Sequence, residues 1–431
     1  MTIQNGLNGQ LRVASDKSIT HRAIILGALA VGVTRIIHPL LSADTWQTIH
    51  AVEQLGVSVE VTEDQALIIT SPGALAIRSN HFQQPLQFDF GNSGTSTRLM
   101  IGVLAGLGIP ATITGDASLT RRPMNRIVGL LTAYGAEIQT TDGHLPVTIR
   151  SGITADAINE TLAVPSAQVK TSLMLAGLSA GISVVIFDDF KTRNHTENML
   201  SSFGVAIDCQ AEMIFVAGDQ QLVATTVTVP ADMSAAAFWL VGATLQPHSD
   251  VVLADVNVNE TRSGILTVLR RMGANITLTH ERTQNGEPIA DIRVTSAEML
   301  IGTTIAGMEV PTMIDELPIL ALALAVAQGD SRVLDASELR IKESNRIVTV
   351  TKTLQAFGAQ INETPDGFVI AGVDQLQVPN QPLVDYDDHR IAMLQAVAKL
   401  LTSNVKLREE IGTIAVSYPD FYKDLAVLIH D

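Results

Sequence analysis

Hydrophobic positions fall into two kinds of segment that alternate along the whole chain. The first kind is apolar on every side, rich in small residues, and runs into a β-branched stretch. It reads RAIILGALAVGVTRII at 22–37, RLMIGVLAGLGIPATIT at 98–114 and TSLMLAGLSAGISVVIF at 171–187. It returns as AAAFWLVGATLQPHSDVVL at 235–253, LPILALALAVAQGDSRVL at 317–334 and RIAMLQAVAKLLTSNVKL at 390–407. Each copy predicts a helix followed by a strand, and a helix apolar all round must be buried on every side. The second kind is amphipathic and ends in a glycine that leads into a strand. Its copies are QLGVSVEV around Gly56, AYGAEIQT around Gly135, SFGVAIDC around Gly204, RMGANITL around Gly273 and AFGAQINE around Gly358. Glycine in that place takes the left-handed conformation that closes a helix at little cost.

Self-similarity of this kind predicts an α/β fold built from six repeats of βαβαββ type, with buried helices and outer sheets. The expected arrangement is an inside-out α/β barrel in two lobes of three repeats, one of 17–228 and one of 1–16 plus 229–431. The crossovers are expected at LRVASDKS (11–18) and VTVPADMS (227–234), and the active site is expected in the cleft between the lobes.

A short polar stretch precedes every buried helix: SDKSITH (15–21), GNSGTST (91–97), PSAQVK (165–170), PADMS (230–234), MIDE (313–316) and YDDH (386–389). Helix N-termini carry unpaired N–H groups and the positive end of the dipole, so six of them facing one cleft would bind an anionic ligand. The plainer reading makes the same stretches ordinary N-caps. Basic residues favour the anion. Lys17 and Arg22 flank the first helix start, Arg98 follows the glycine-rich turn, and Arg121, Arg122 and Arg126 crowd DASLTRRPMNR. Lys170 follows Gln168, Arg340, Lys342 and Arg346 share ELRIKESNR, and Arg390 follows His389. Lys342 and Arg346, four apart, are expected on one helix face, an arrangement that asks for a negative charge between them.

Composition narrows the function further. The 431 residues carry a net charge of −16, which disfavours a nucleic-acid partner. Cys209 is the only cysteine, so no internal disulfide can form. No HExxH, CxxC or carboxylate cluster suggests a metal, and no cofactor is expected. The opening MTIQNGLNGQLRV lacks a basic region followed by an apolar run, and the apolar runs near 23–33 and 317–327 fall short of the roughly 20 residues a bilayer demands. A cytoplasmic protein with no membrane partner is expected. GNSGT lacks the GxxxxGK[ST] pattern of a nucleotide phosphate loop and the spacing of a hydrolase elbow. The candidate acid–base groups are Lys17, Asp315, Glu343 and His389. Asp315 could instead cap its helix, and His389 could be a hydrogen-bonded core histidine.

DKSITHRA, GNSGTSTRLM, SLTRRPM, PSAQVK, TRNHTENML, IDELP, LRIKESNRI and DDHRIAM together resemble the 5-enolpyruvylshikimate-3-phosphate synthases, in that family's order and over nearly the whole chain. The resemblance implies two lobes that open and close over shikimate 3-phosphate and phosphoenolpyruvate; a monomer is expected. It implies that shikimate 3-phosphate lies against Lys17, Ser18, Arg22, Ser166, Gln168, Arg193, Asp315 and Lys342. Phosphoenolpyruvate would be held by Lys17, Gly94, Arg122, Gln168, Arg346 and Arg390, with Asn92 in the same substrate-binding set and Glu343 and His389 lining the cleft. The chain departs from the family at Ala14-Ser15, where Pro-Gly is usual, and at Val416 and Thr312, where basic residues are frequent. A related transferase that loads enolpyruvate onto UDP-N-acetylglucosamine is the nearest alternative, but it uses a cysteine in the loop corresponding to 116–124, where this chain has none. A paralogue that binds phosphorylated ligands without turning them over is the second. A cyclase acting on RNA 3′-phosphates shares the fold, and the acidic charge argues against it.

Overall fold

In the computed structural model the described residues are 6–80, 82, 84–402 and 412–430. They form two compact units: Asp16–Val229 with Gln284–Glu287, and the chain up to Ser15 with Pro230–Thr283 and Pro288 onward.

The Asp16–Val229 unit holds α1 (Lys17–Leu29), α2 (Ala43–Gln54), α3 (Ala74–Ser79), α4 (Gly94–Leu107), α5 (Ala117–Thr120), α6 (Asn125–Ala133), α7 (Ala167–Ala180) and α8 (His195–Ser202). Three four-stranded sheets share one strand order. In the first, Thr226–Thr228 runs parallel to Val31–Ile37, which pairs antiparallel with Leu67–Pro72, itself antiparallel to Ser58–Val61. The second runs Leu86–Asp89, Ala111–Thr114, His144–Ser151, Glu137–Thr141, and the third Ala157–Thr161, Ser183–Phe187, Met213–Val216, Ile207–Gln210. Alternate residues of Leu67–Pro72 (Leu67, Ile69 and Ser71) face inward, as the two-residue strand period demands.

The helices expected to be apolar all round are α1, α4 and α7, and each is buried along nearly its whole length in one core. Their small residues permit close approach. A Cβ placed on Gly102 or Gly106 of α4 would lie 2.2 Å from the carbonyl oxygen of Ser172 or Ala176 on α7. The two helices therefore meet backbone to backbone.

The second unit repeats the plan with α9 (Met233–Leu245), α10 (Gly264–Met272), α11 (Leu317–Ala325), α12 (Arg346–Ala356), α13 (His389–Leu400) and α14 (Phe421–His430). Asn8–Leu11 runs parallel to Asp250–Asn257, in the place that Thr226–Thr228 takes in the first sheet. The sheet continues through Glu287–Thr295 and Asn275–Gln284, and a second runs Thr304–Ile305, Asp330–Val333, Gly367–Ala371, Gln360–Thr364. Here α9 and α11 are buried all round. The strand expected over NVKL, 404–407, lies outside the described residues.

All five helix-closing glycines, Gly56, Gly135, Gly204, Gly273 and Gly358, have positive φ. The amphipathic α14 is a sixth helix of the second kind that the glycine pattern could not show, because no glycine follows it in the sequence.

Candidate functional site

Each unit gathers the N-terminal turns of its buried helices, and with them its share of the motif residues. In the Asp16–Val229 unit, Asp16 caps α1 by accepting from Ile19 N–H at 2.9 Å, which places Lys17 and Ser18 on the first turn. Lys17 Nζ lies 3.0 Å from Asp44 Oδ2, on the first turn of α2. The two helices are tied to α4 through a buried chain of hydroxyls. His21 Nδ1 is 2.8 Å from Thr48 Oγ1, which is 2.7 Å from Ser96 Oγ, which is 2.6 Å from Ser93 Oγ. Burial, with Lys17 and Arg22 adding to it, holds His21 well below the ordinary histidine range, so it stays neutral.

Arg22 is 4% exposed. Its Nε donates to Thr196 Oγ1 at 2.8 Å, Nη2 to Thr171 Oγ1 at 2.9 Å and Nη1 to Ser18 O at 3.0 Å. Burial pulls its pKa down to about 10, while Glu197, Asp16 and Glu287 pull upward and Arg193 downward. It is cationic at neutral pH. Arg193 stands in the loop just before α8.

At the start of α4, Arg98 Nη1 donates to Gln168 Oε1 at 2.9 Å, and Gln168 Nε2 donates to Thr95 Oγ1 at 3.1 Å. Arg122 donates to Asn92 Oδ1, and Asn92 Nδ2 donates to Asp116 Oδ2 at 2.7 Å. A Cβ on Gly94 would sit 2.9 Å from Arg98 Nη1 and 3.1 Å from Arg122 Nη1, so a glycine there leaves room for two guanidinium groups. Ser166 caps α7, accepting from Val169 N–H.

In the second unit the centre is Arg346, 1% exposed at its side chain. Nε and Nη2 donate to the two oxygens of Asp388 at 2.9 and 3.1 Å, Nη1 reaches Asp315 Oδ1 at 3.4 Å, and Nη2 lies 2.6 Å from Glu343 Oε2. Burial works against the charge, but Asp388, Glu343 and Asp315 outweigh it and hold the guanidinium above the ordinary arginine range. Burial likewise pushes Asp388 up, and Arg346 more than reverses this and holds the carboxyl below its usual value. Lys342 Nζ lies 3.2 Å from Asp315 Oδ1. Asp388 also caps α13 by accepting from Arg390 N–H at 3.0 Å, which puts buried His389 and half-buried Arg390 on the first turn.

Several expectations are corrected. Lys342 and Arg346 do not share a helix face. Ser337–Ile341 is a 3-10 turn, Lys342 is extended, and α12 begins at Arg346 behind its cap Asn345. Asp315 is not a cap: Glu316 holds the cap position of α11 without a side-chain bond, and the Asp315 carboxylate goes to the two cations. Lys170 is not part of a ligand surface. It is fully buried, with Nζ 2.9 Å from Asp188 Oδ2, 2.6 Å from Glu197 Oε1 and 3.1 Å from Thr192 O. Two hydrogen bonds and the ion pair to Glu197 hold its ammonium inside the core. Arg340 is also occupied, donating to the carbonyls of Thr364 and Pro365. Five of the six buried helices do have side-chain caps (Asp16, Ser93, Ser166, Asp232 and Asp388), so the capping reading holds for these five.

Residues that the sequence did not single out as site candidates complete both clusters. Asp44, Thr171 and Thr196 contact Lys17 and Arg22 from distant segments. Arg262 Nη2 donates to Asp232 Oδ1 at 2.8 Å and Ser234 Oγ at 2.9 Å, and Ser234 bonds Glu316, which links α9 to α11. Only a charge pattern around residue 262 could have signalled this, and Arg262 follows Thr261 in a stretch with no repeat signature. Among the described residues no group of three or more His, Cys, Asp or Glu side chains could hold a metal, and no helix is long and apolar enough to cross a membrane.

Comparison with known proteins gives the family. The sequence model of the EPSP synthase (3-phosphoshikimate 1-carboxyvinyltransferase) family matches residues 1–425. The chain is 42% identical over 426 residues to a 3-phosphoshikimate 1-carboxyvinyltransferase of Lactiplantibacillus plantarum, covering 98% of this chain and 97% of that one. The solved structure of EPSP synthase from Acinetobacter baumannii superposes with a TM-score of 0.84 at 37% identity, covering 98% of this chain and 96% of that one. The enolpyruvyl transferase NikO from Streptomyces tendae shares the fold, with a TM-score of 0.76 at 15% identity over 99% of this chain and 95% of that one.

Proposed function

The chain belongs to the EPSP synthase (3-phosphoshikimate 1-carboxyvinyltransferase) family, and from that premise we propose how its own residues carry the family's reaction. That reaction transfers the enolpyruvyl group of phosphoenolpyruvate to the 5-hydroxyl of shikimate 3-phosphate and releases phosphate. Shikimate 3-phosphate is bound by Lys17, Ser18, Arg22, Ser166, Gln168 and Arg193, with Asp315 and Lys342. Phosphoenolpyruvate is bound by Lys17, Asn92, Gly94, Arg122, Gln168, Arg346 and Arg390. The lobe boundaries lie near 17–228 and 1–16 plus 229–431, with Gln284–Glu287 packing with the first, and the protein works as a cytoplasmic monomer.

Two phosphates and two carboxylates enter one site, which accounts for the density of arginines: their planar forks match both groups. The acceptor's 5-hydroxyl oxygen attacks C2 of phosphoenolpyruvate and gives up its proton, while C3 gains one. The resulting tetrahedral phosphate ketal then loses phosphate and a C3 proton. Asp315 takes or orients the hydroxyl proton; Glu343, with Lys17, serves C3, and His389 lines the same site. The observation that carries this assignment is the placement of Asp315: a carboxylate fixed by Lys342 and Arg346 is a positioned acceptor. Holding two substrates in register contributes roughly 7–11 kcal/mol, more than any single proton carrier.

The nucleotide-sugar reading lacks its loop cysteine here, since Cys209 is exposed on the strand Ile207–Gln210 and not in the 116–124 loop. The test is phosphate release from phosphoenolpyruvate with shikimate 3-phosphate or UDP-N-acetylglucosamine as acceptor. Release with shikimate 3-phosphate alone is expected. Release only with the nucleotide sugar, or with neither, overturns the proposal.

A further inference from the structure

Arg22 is a buried cation with an unusual set of partners. A desolvated guanidinium ordinarily recruits a carboxylate, because burying a charge without one is costly. Every hydrogen-bond acceptor on Arg22 is instead a neutral oxygen: the hydroxyls of Thr196 and Thr171 and the carbonyl of Ser18. The two hydroxyls are themselves 2.8 Å apart and hydrogen-bonded, although they come from α7 and α8. They present Arg22 with a pair of oxygens, one on Nε and one on Nη2, as the two oxygens of a carboxylate would, but without its charge.

The donor count says what this achieves. A guanidinium has five N–H groups in one plane. Three are fixed by Thr196, Thr171 and Ser18, which leaves one on each terminal nitrogen. Two coplanar N–H groups on neighbouring nitrogens are the bidentate donor for a carboxylate or phosphate. A carboxylate in place of the threonines would cancel the charge that an anionic substrate needs to meet. The supports of the hydroxyl pair are rigid: Lys170 neighbours Thr171 in sequence and ties α7 to Asp188 and to Glu197, the residue after Thr196.

We propose that Thr171 and Thr196 are positioning residues for acceptor recognition, a neutral hydroxyl clamp that fixes the plane of Arg22 and leaves its remaining N–H pair and its full charge to the acceptor's anionic group. The proposal rests on the reading of Arg22 as an acceptor-binding residue.

The test is steady-state kinetics of the full-length enzyme with both substrates, on Thr196→Val, Thr171→Val, Thr196→Ser and Arg22→Lys, with thermal unfolding of each. Valine keeps the shape and removes the acceptor; serine keeps the acceptor and removes the methyl. Thr196→Val raises KM for shikimate 3-phosphate on the order of tenfold, the size of one charge-assisted hydrogen bond. It leaves kcat and KM for phosphoenolpyruvate within about twofold, and Thr196→Ser restores the wild-type KM. Thr171→Val does the same and carries the test if Thr196→Val does not fold. An unchanged acceptor KM in the valine variants, an equal rise in both KM values, or a serine variant as impaired as valine overturns the clamp. Arg22→Lys separates the two levels. If it leaves acceptor KM untouched, the reading of Arg22 fails and the clamp falls with it. If it raises that KM while the valine variants do not, the clamp alone is wrong.

Discussion

Arg22 and Arg346 are the same side chain, both buried, one in each unit, and their surroundings are opposite. Arg22 is held by two hydroxyls and a carbonyl, and burial drags its pKa down to about 10. Arg346 is held by Asp388, Glu343 and Asp315, and the three carboxylates raise its pKa in spite of burial. A cation with neutral partners keeps its field for a ligand, whereas a cation among carboxylates spends that field fixing them in place. Under the proposed roles, Arg22 offers its charge to an anion, whereas Arg346 meets phosphoenolpyruvate with a charge it already shares with three carboxylates. Reading all arginines of the motifs as phosphate clamps would miss this division.

The comparison can be broken in order of effect. Asp315→Ala should cost the most, a fall in turnover of about 10²–10⁴ measured by phosphate release, because it removes a proton carrier; full turnover would end the division of labour. Arg346→Met should destabilise the fold by about 3–5 kcal/mol in urea titration, since it removes the guanidinium shared by three carboxylates, of which Asp388 is fully buried. Arg22→Met should cost about 1–3 kcal/mol, because the oxygens that lose their hydrogen-bond donor are neutral. If the two methionine variants lose equal stability, the contrast between the arginines is not electrostatic. The smallest effect is a pH limb. Asp388 has a folded pKa below its unfolded one, so its stabilisation is present above the unfolded value of about 3.9 and is lost as pH falls through the lower folded value. Urea midpoints between pH 7 and pH 3 should show that loss, and Asp388→Asn should flatten it.

The fold was legible because burial leaves a local mark. All six apolar helices stand behind their polar stretches, and five glycines close their helices with positive φ. The candidate site was legible only as a set of names. Lys17 and Arg22 could be read from the first motif, but Asp44 is 27 residues from Lys17, and Thr171 and Thr196 are 149 and 174 from Arg22. Such partners come together through packing, which has no sequence period. Spacing misled where local structure broke: four residues from Lys342 to Arg346 imply one helix face only if the helix is continuous, and here a 3-10 turn and an extended residue intervene. Lys170 stood in a motif and proved structural for a similar reason, because its two carboxylates lie on later segments.

The glycines at 102 and 106 set a dimension. One turn above Gly102, on the same helix, stands Arg98, whose guanidinium meets Gln168 on the facing helix. The reach between them is gauged by two absent methyl groups lower down the helix pair. A methyl at either place would act as a shim, parting the helices at their shared face and widening the gap between Arg98 and Gln168. Tolerance at the Arg98–Gln168 end is machined elsewhere, in a part of the core where a Cβ would run into the backbone of the facing helix.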